Sequence, residues 1–304
     1  MSTSANTTKY DPDCDPDCDL ICIGGGYAGL AAAARAAQLG LKAVVLERGA
    51  DELYACNSRV AGGVMHVSYN DPASGPEVLF KAMTEITAGY ADAALARAMA
   101  DNALRAVQWL QSEGAGFERL TTAGWRNWVL APVRPPATHL EWRGIGADMA
   151  LRTLEKNLLA RGGVLHRATE VSDLIQENGR CVGVRARQGG AEKIFRARAV
   201  VLADGGYQAN PALLKKHISP APQALKQRNV KTGVGDGLRM AQAVGAALSP
   251  LDAFYGHVLS RDAMHNDKVW PYPEIDALGT SEIQMPTTPE AVWRALRSKK
   301  GAAA

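Results

Sequence analysis

Three glycines near the start of the chain carry the clearest chemical signal. Gly24, Gly26 and Gly29 fit G-x-G-x-x-G within Ile23-Gly24-Gly25-Gly26-Tyr27-Ala28-Gly29-Leu30. The first glycine of such a pattern allows a sharp turn, the second lets backbone approach a pyrophosphate, and the third lets helix and strand pack closely. A helix opening at Tyr27 would aim N–H groups and about half a unit of positive charge at that phosphate. Glu47 lies about 20 residues beyond the glycines, where a carboxylate accepts bonds from ribose hydroxyls. An acid there suits a free 2′-OH, so NADP is disfavoured while FAD and NAD remain. The competing reading is a glycine-rich turn in an ordinary βαβ unit.

Several elements must hold these groups. Leu20 to Ile23 is a short apolar run, as expected of a strand buried on both faces of a parallel sheet. An Ala-rich helix follows, running to Gly40, and then a second strand, Ala43-Val44-Val45-Leu46, which ends at Glu47. Asp92 can cap a helix reaching Gln111, whose Leu95, Met99, Ala103, Ala106, Val107 and Leu110 recur at helical spacing. Trp109 is read as packing in that helix. Gly146 to Ala160 reads as a helix with Met149, Leu151, Leu154 and Leu158 on one side. Gly163 to His166 reads as a strand leading to Ala168–Val171. Residues 174–187 and 192–196 alternate as hairpin strands around Asn178-Gly179, a type I′ signal. Ala197 to Ala203 reads as a further buried parallel strand, and Leu238 to Val244 as a helix that Asp236 can cap.

After Glu47 come Arg48 and Gly49, then Asn57-Ser58-Arg59-Val60-Ala61-Gly62-Gly63. With these segments the chain resembles the flavoprotein family of fumarate reductase, succinate dehydrogenase and tricarballylate dehydrogenase. In that family Asn-Ser/Thr followed by a small residue and Gly-Gly lines the FAD pyrophosphate and flavin ring. Here the segment is one residue shorter than in soluble fumarate reductases. The resemblance also covers Ala203-Asp204-Gly205-Gly206, where the family has Ala-Thr-Gly-Gly. It further covers Thr232-Gly233-Val234-Gly235-Asp236-Gly237, with one residue inserted into the family's Thr-Gly-Asp-Gly.

The resemblance extends over about residues 19 to 276. It implies an α/β fold: a Rossmann-like FAD-binding domain of the glutathione-reductase type, a parallel sheet with a small antiparallel sheet inserted, and only the start of a capping domain. The implied FAD contacts are Gly24, Gly25, Gly26, Tyr27, Ala28, Gly29, Glu47, Arg48, Asn57, Ser58, Gly62, Gly63, Val171, Ala203, Asp204, Gly205 and Asp236. Val171 would offer its backbone N–H and C=O to the adenine. Asp204 beside a pyrophosphate is unfavourable unless it faces the ribose or a turn N–H. Respiratory members attach FAD through a His before the Ser/Thr motif. Cys56-Asn57 stands there, so FAD is expected to be non-covalent.

The expected organisation is a tail over residues 1–18, an FAD-binding domain over 19–249, a cap remnant over 250–278 and an unmatched tail over 279–304. The family's catalytic arginine and its carboxylate-holding residues come from segments without a match here, so the catalytic residues are left unassigned. His257 and His265 are read as loop residues. Arg126, Arg134, His139 and Arg143 lie in an irregular stretch over 119–145. They could clamp a carboxylate or simply face solvent.

The 304 residues are 47% hydrophobic and carry a net charge of +3 from 34 basic and 31 acidic residues, so no nucleic-acid footprint is expected. No apolar run approaches the ~18 residues of a membrane helix. No signal peptide is read, and a cytoplasmic location is expected. The five cysteines are Cys14, Cys18, Cys22, Cys56 and Cys181. An odd set argues against a disulfide framework. The repeated Asp-Pro-Asp-Cys at 11–18 reads as an acidic lead-in, with a Cys14/Cys18 metal site as the lesser alternative, and no metal is expected.

The function expected is an FAD-dependent oxidoreductase moving a hydride between flavin and a carbon–carbon bond of a small carboxylate, fumarate-, succinate- or tricarballylate-like. Its partners would be that carboxylate and an electron carrier of unknown identity. A second chain or a further copy would cover sheet edges and apolar faces that the absent segments leave exposed. The alternatives are a truncated FAD-binding module or half of a split flavoenzyme, and a 3-ketosteroid dehydrogenase-like enzyme.

Overall fold

The computed structural model describes residues 17–120, 124–134, 141–253 and 265–266. In chain order its elements are β1 (Cys18–Ile23), α1 (Tyr27–Gln38), β2 (Ala43–Leu46), α2 (Pro76–Ile86), α3 (Ala93–Ser112), β3 (Phe117–Glu118), β4 (Val129–Leu130), α4 (Gly146–Ala160), β5 (Val164–His166), β6 (Thr169–Glu177), β7 (Arg180–Gln188), β8 (Ala191–Leu202), α5 (Pro211–His217) and α6 (Asp236–Ala243). They form two compact units. One comprises Met1–Tyr54, Leu158–Asp204 and Asp236–Ala246; the other comprises Ala55–Asn157, Gly205–Gly235 and Ala247–Ala304. The expected cap and C-terminal tail fall almost wholly outside the described residues, as do Cys14, His139 and His257.

The first unit holds a six-stranded sheet in the order β5-β2-β1-β8-β7-β6. β1 runs parallel to β2 (Ile21↔Val44) and to β8 (Ile21↔Val200), and β2 runs parallel to β5. β6, β7 and β8 are antiparallel. The α/β class is as expected, but the two sheets are not separate. Residues 192–196 and 197–203, read as two strands, are one strand. The first half of β8 pairs with β7 and its second half with β1. Nothing in Lys193-Ile194-Phe195-Arg196-Ala197-Arg198-Ala199 breaks the chain, so one strand serves both ladders.

β1 starts at Cys18, inside the expected tail. Cys18 pairs with Ala197 and is 2% exposed, and the Asp17 carboxylate accepts the Arg196 N–H at 2.9 Å. Cys18, Ile21, Ile23, Leu46, Val171, Val184, Ala186, Ala197 and Met240 form one core cluster. The buried face of α1 is Gly29, Leu30, Ala33, Ala34, Ala36 and Ala37. Its small side chains let the helix lie close to the strands, and burying Leu30 alone contributes about 1.5–3 kcal/mol. The β6–β7 turn has Asn178 and Gly179 at φ +49° and +75°, the pair of positive values that a type I′ turn requires.

In the second unit α3 packs on α2, with the Asp92 side chain capping it through the Leu95 N–H at 2.9 Å. The expected apolar stripe holds in part: Val107 is buried and Ala103 packs on the core, but Leu95 and Met99 are 67% and 58% exposed, and Ala96 and Ala100 are buried in their place. Ala96 and Ala100 join Val67, Leu79 and Met83 in the contact, because alanine lets two helices approach closely where leucine would hold them apart. On α4, Leu151, Leu154 and Leu158 are buried as expected, but Met149 lies off that face.

Candidate FAD-binding site

The first unit builds a glycine turn where β1 meets α1. Gly24 donates its N–H to the Leu46 carbonyl at 2.8 Å and turns the chain with φ +100°. A Cβ there would lie 2.6 Å from the Ala203 carbonyl oxygen, and one on Gly29 would overlap the Gly24 carbonyl. Gly26 is the N-cap of α1. No side chain caps the helix and no acid sits in its first turn, so the positive end of α1 is not neutralised from within.

Glu47, at the end of β2, is buried. One carboxylate oxygen accepts the Gly25 N–H and the other the Gly49 N–H, both at 2.7 Å. Buried Tyr54 donates its hydroxyl to the Gly25 carbonyl at 2.8 Å. Glu47 and Tyr54 thus hold the Gly25 residue from its two polar groups. Glu47 was legible from its spacing. Tyr54 was not, because no local pattern ties it to Gly25, 29 residues earlier.

Ala203 follows β8 and donates its N–H to the Ile23 carbonyl at 2.9 Å. Asp204 accepts the Gly237 N–H at 2.7 Å. It therefore faces a turn N–H, one of the two settings expected to suit an acid at this position. Burial pushes its carboxyl above the ordinary value, the Gly237 hydrogen bond opposing. The backbone-capping role expected of Asp236 is filled here by Asp204. Asp236 instead pairs with Arg48 at 2.9 Å, and Arg48 also reaches Glu170 at 3.1 Å. Arg48, Ala168, Glu170, Arg187, Gly189 and Gly190 line an open cleft of about 380 Å³. Val171 lies in β6 opposite Ala186, at a register shift before Asp173, with its side chain in the core. The turn at Gly24–Gly29, Glu47, Arg48, Ala203, Asp204 and Asp236 all belong to this unit.

Asn57, Ser58, Gly62, Gly63 and Gly205 belong to the second unit. Asn57 accepts the Val230 N–H through its side-chain oxygen at 3.1 Å. Arg59 N–H closes a turn onto the Cys56 carbonyl at 3.0 Å, and the Gly63 carbonyl accepts the Leu130 N–H at 2.9 Å. Between these anchors Arg59 turns inward. Arg59 and Asp148 are both 0% exposed and form an ion pair. The same carboxylate accepts the Gly144 N–H at 2.8 Å and the Arg152 guanidinium at 2.9 Å. Burial by itself pushes Asp148 upward, but the bonds from Arg152, Gly144 and Arg59 outweigh it and the carboxyl sits below its ordinary value. Arg59 also lies over the Trp142 ring, 5.9 Å from its centre.

Of the residues considered for a carboxylate clamp, the three arginines are described and His139 lies outside the described residues. Arg134 is buried and donates to the Val60 carbonyl at 3.1 Å. Arg126 stacks on Trp125 at 4.7 Å, and Arg143 on Trp142 at 4.9 Å. Trp125 meets His66 and Tyr69 edge-on at 5.3 and 5.5 Å, and those two rings stack at 4.9 Å. Burial lowers the His66 pKa. Sequence reading found neither the Arg59–Asp148 pair nor this ring cluster.

A family model described as an FAD binding domain matches residues 19–270. The chain belongs to this family, and its cofactor is FAD. A vinyl phenol reductase from Lactiplantibacillus plantarum is 28% identical over 239 residues, 75% of this chain and 45% of that protein. A fumarate reductase (cytochrome) from Shewanella frigidimarina is 26% identical over 248 residues, covering 78% and 42%. The chain thus spans less than half the length of these curated relatives. The open conformation of a flavocytochrome c3 fumarate reductase aligns with a TM-score of 0.70 at 20% identity, over 92% of this chain and 51% of that one. Among the described residues no helix is long and apolar enough to cross a membrane.

Proposed function

We propose that this chain is the FAD-binding part of an oxidoreductase that reduces, or forms, a carbon–carbon double bond conjugated to a carboxylate or a similar electron-withdrawing group. The observation that carries this reading is the Gly24–Gly29 turn. Its space is kept clear where Cβ atoms would strike backbone, the first turn of its helix carries no acid and no side-chain cap, and Glu47 and Tyr54 fix its central peptide. These features suit a pyrophosphate.

In this reading Gly24–Gly29 holds the pyrophosphate, and Glu47, whose oxygens retain lone pairs beyond those engaged by Gly25 and Gly49, faces the ribose. Arg48, Val171, Ala203, Asp204 and Asp236 complete the nucleotide end. Asn57, Ser58, Gly62, Gly63 and Gly205 serve the flavin end. Cys56 stands where respiratory relatives carry a histidine, so FAD is held without a covalent bond. When bound, FAD supplies two-electron hydride chemistry; the chain orients it and sets its electrostatic surroundings. The relatives' names, fumarate and vinyl phenol reductase, support an activated carbon–carbon double bond as the reacting group.

A second reading is favoured by one observation. The described arginines at 126, 134 and 143 each have a partner within the chain, Trp125, the Val60 carbonyl and Trp142. The substrate carboxylate would then be held by residues outside this chain, as in an FAD module completed by a partner.

Absorbance of the purified chain and acid release of its cofactor test the binding claim. A flavin spectrum with FAD in the supernatant is expected; a folded, colourless protein that takes up no added FAD contradicts it. Oxidation of the chemically reduced holoprotein by fumarate, acrylate or vinyl phenol then separates the two readings. Reoxidation by one of them supports a complete enzyme, and none supports the module.

A further inference from the structure

The carboxyl ends of β1 and β8 bring an acid against the glycine turn. The two strands run parallel with Ile23 opposite Leu202, so Gly24 leaves one beside Ala203 and Asp204 leaving the other. Ligands of parallel sheets bind outside such strand ends. A Cβ on Gly24 would lie 2.9 Å from the Asp204 Cα. The backbone of Asp204 is therefore set directly against the first glycine of the turn. Its carboxylate is half-buried and accepts the Gly237 N–H at 2.7 Å. A Cβ on Gly237 would strike that carboxylate, so the glycine keeps room for it.

Among the described residues, the charged groups around Asp204 come from β2, β6 and α6. Asp236, at the start of α6, opposes its ionisation, and Arg48, after β2, favours it. Arg48 is itself bonded to Asp236 and to Glu170 of β6. The turn's other acid, Glu47, is engaged by the Gly25 and Gly49 N–H groups. Burial acts most strongly on Asp204 and raises its carboxyl above the ordinary range, against the N–H groups of Gly237 and of Asp204 itself. A pyrophosphate at the turn would push the same way, because a like charge nearby disfavours ionisation.

We propose that Asp204 holds FAD in its protonated form, so that cofactor uptake carries a proton with it. This rests on the reading above, in which Gly24–Gly29 holds the pyrophosphate. An ionised carboxylate beside that group repels it, and one turn N–H offsets only part of the repulsion. A neutral carboxyl removes the repulsion. With Gly237 engaging one oxygen, a proton on the other makes a hydroxyl donor, and the acid then serves the cofactor as a serine or threonine would.

Calorimetric titration of the apoprotein with FAD, in two buffers of different ionisation enthalpy, reads the proton directly. The wild type should take up about one proton per FAD at a pH between the carboxyl pKa of the free protein and that of the complex. The pKa is raised further in the complex. Affinity is then full below the free-protein value and falls as pH rises through the bound one, by up to about tenfold per pH unit. Asp204→Asn keeps an acceptor for the Gly237 N–H and cannot ionise. It should bind FAD without proton uptake, with an affinity flat from about pH 5 to about pH 8. At the alkaline end it should bind about tenfold more tightly than the wild type. An Asp204 that serves only to hold the Gly237 amide predicts no proton uptake, and binding by the Asn variant that is equal or weaker.

No proton uptake by the wild type, a pH slope that persists in Asp204→Asn, or no gain in affinity at the alkaline end overturns the proposal. If that variant does not fold, Asp204→Thr carries the test. Its hydroxyl donates at every pH, so a flat affinity supports the proposal and a wild-type slope overturns it. A wild-type protein that takes up no FAD overturns the function reading and this inference with it. FAD uptake without a proton overturns this inference alone.

Discussion

The two stretches by which this chain is read as an FAD binder are held in opposite ways. At Gly24–Gly29 the restraints are backbone hydrogen bonds, missing side chains, one hydroxyl and one carboxylate accepting two amides. At Asn57–Gly63 they are long charged side chains drawn into the interior, with Arg59 and Arg134 meeting α4 and Val60. A phosphate-binding turn must offer N–H groups close to its ligand, so bulk is excluded and little charge is placed there. The difference separates a turn kept free of side-chain bulk from a segment anchored by buried charged side chains.

The most severe break in the second region is Asp148→Ala. It leaves Arg59 buried without its carboxylate and should cost about 3–5 kcal/mol, read as a lower urea midpoint. A loss below about 1 kcal/mol would mean that the pair is solvated and the contrast between the regions is false.

In the first region Gly24→Ala combines a left-handed backbone with a close approach to Ala203. A cost of about 2–4 kcal/mol is expected, together with loss of FAD retention in equilibrium dialysis. Retention at wild-type affinity would show that the turn can relax.

Tyr54→Phe should cost about 1 kcal/mol, since it strands the buried Gly25 carbonyl. It should also raise the dissociation constant for FAD, and an unchanged constant would detach Tyr54 from the cradle's geometry.

Smallest near neutral pH, the two regions should fail at opposite ends of the pH scale. Burial pushes the Cys18 and Cys22 thiols up to about 11 and about 12. A raised thiol pKa contributes stability that is present below the unfolded value near 8.5 and lost as pH rises through the folded values. The Asp148 carboxyl is depressed, so its contribution is present above the unfolded value near 3.9 and lost as pH falls through the folded one. Hydrogen exchange, corrected for intrinsic rates, should therefore show residues 18–23 loosening first in alkali and residues 57–63 first in acid. Loosening of both together would erase the distinction.

Local signals carried most of the first region. The glycine spacing, the apolar strand and the acid at 47 each depend on neighbours within one βαβ unit. The α4 bounds and the Asn178-Gly179 turn were legible for the same reason. On α3 Val107 is buried as expected, but the N-terminal half of the stripe was misplaced by one residue because Leu95 and Met99 fit the period as well as Ala96 and Ala100 do. Periodicity places a face but does not say whether a close alanine contact or a wide leucine contact will be buried. The strand at Cys18 was missed because Asp-Pro-Asp-Cys has the composition of a tail. Its place is decided by pairing with Ala197, 179 residues later.

Sequence by itself determined the dinucleotide turn, the α/β class and the family, since these depend on residue types at short, regular spacing. Only the tertiary structure decided that β8 serves two ladders, that Asp204 takes the Gly237 amide while Asp236 goes to Arg48, and that Arg59 is buried against Asp148. Each of these joins groups far apart in the chain. For charged side chains in particular, whether water or a distant partner satisfies them is settled by where the fold leaves no room for water.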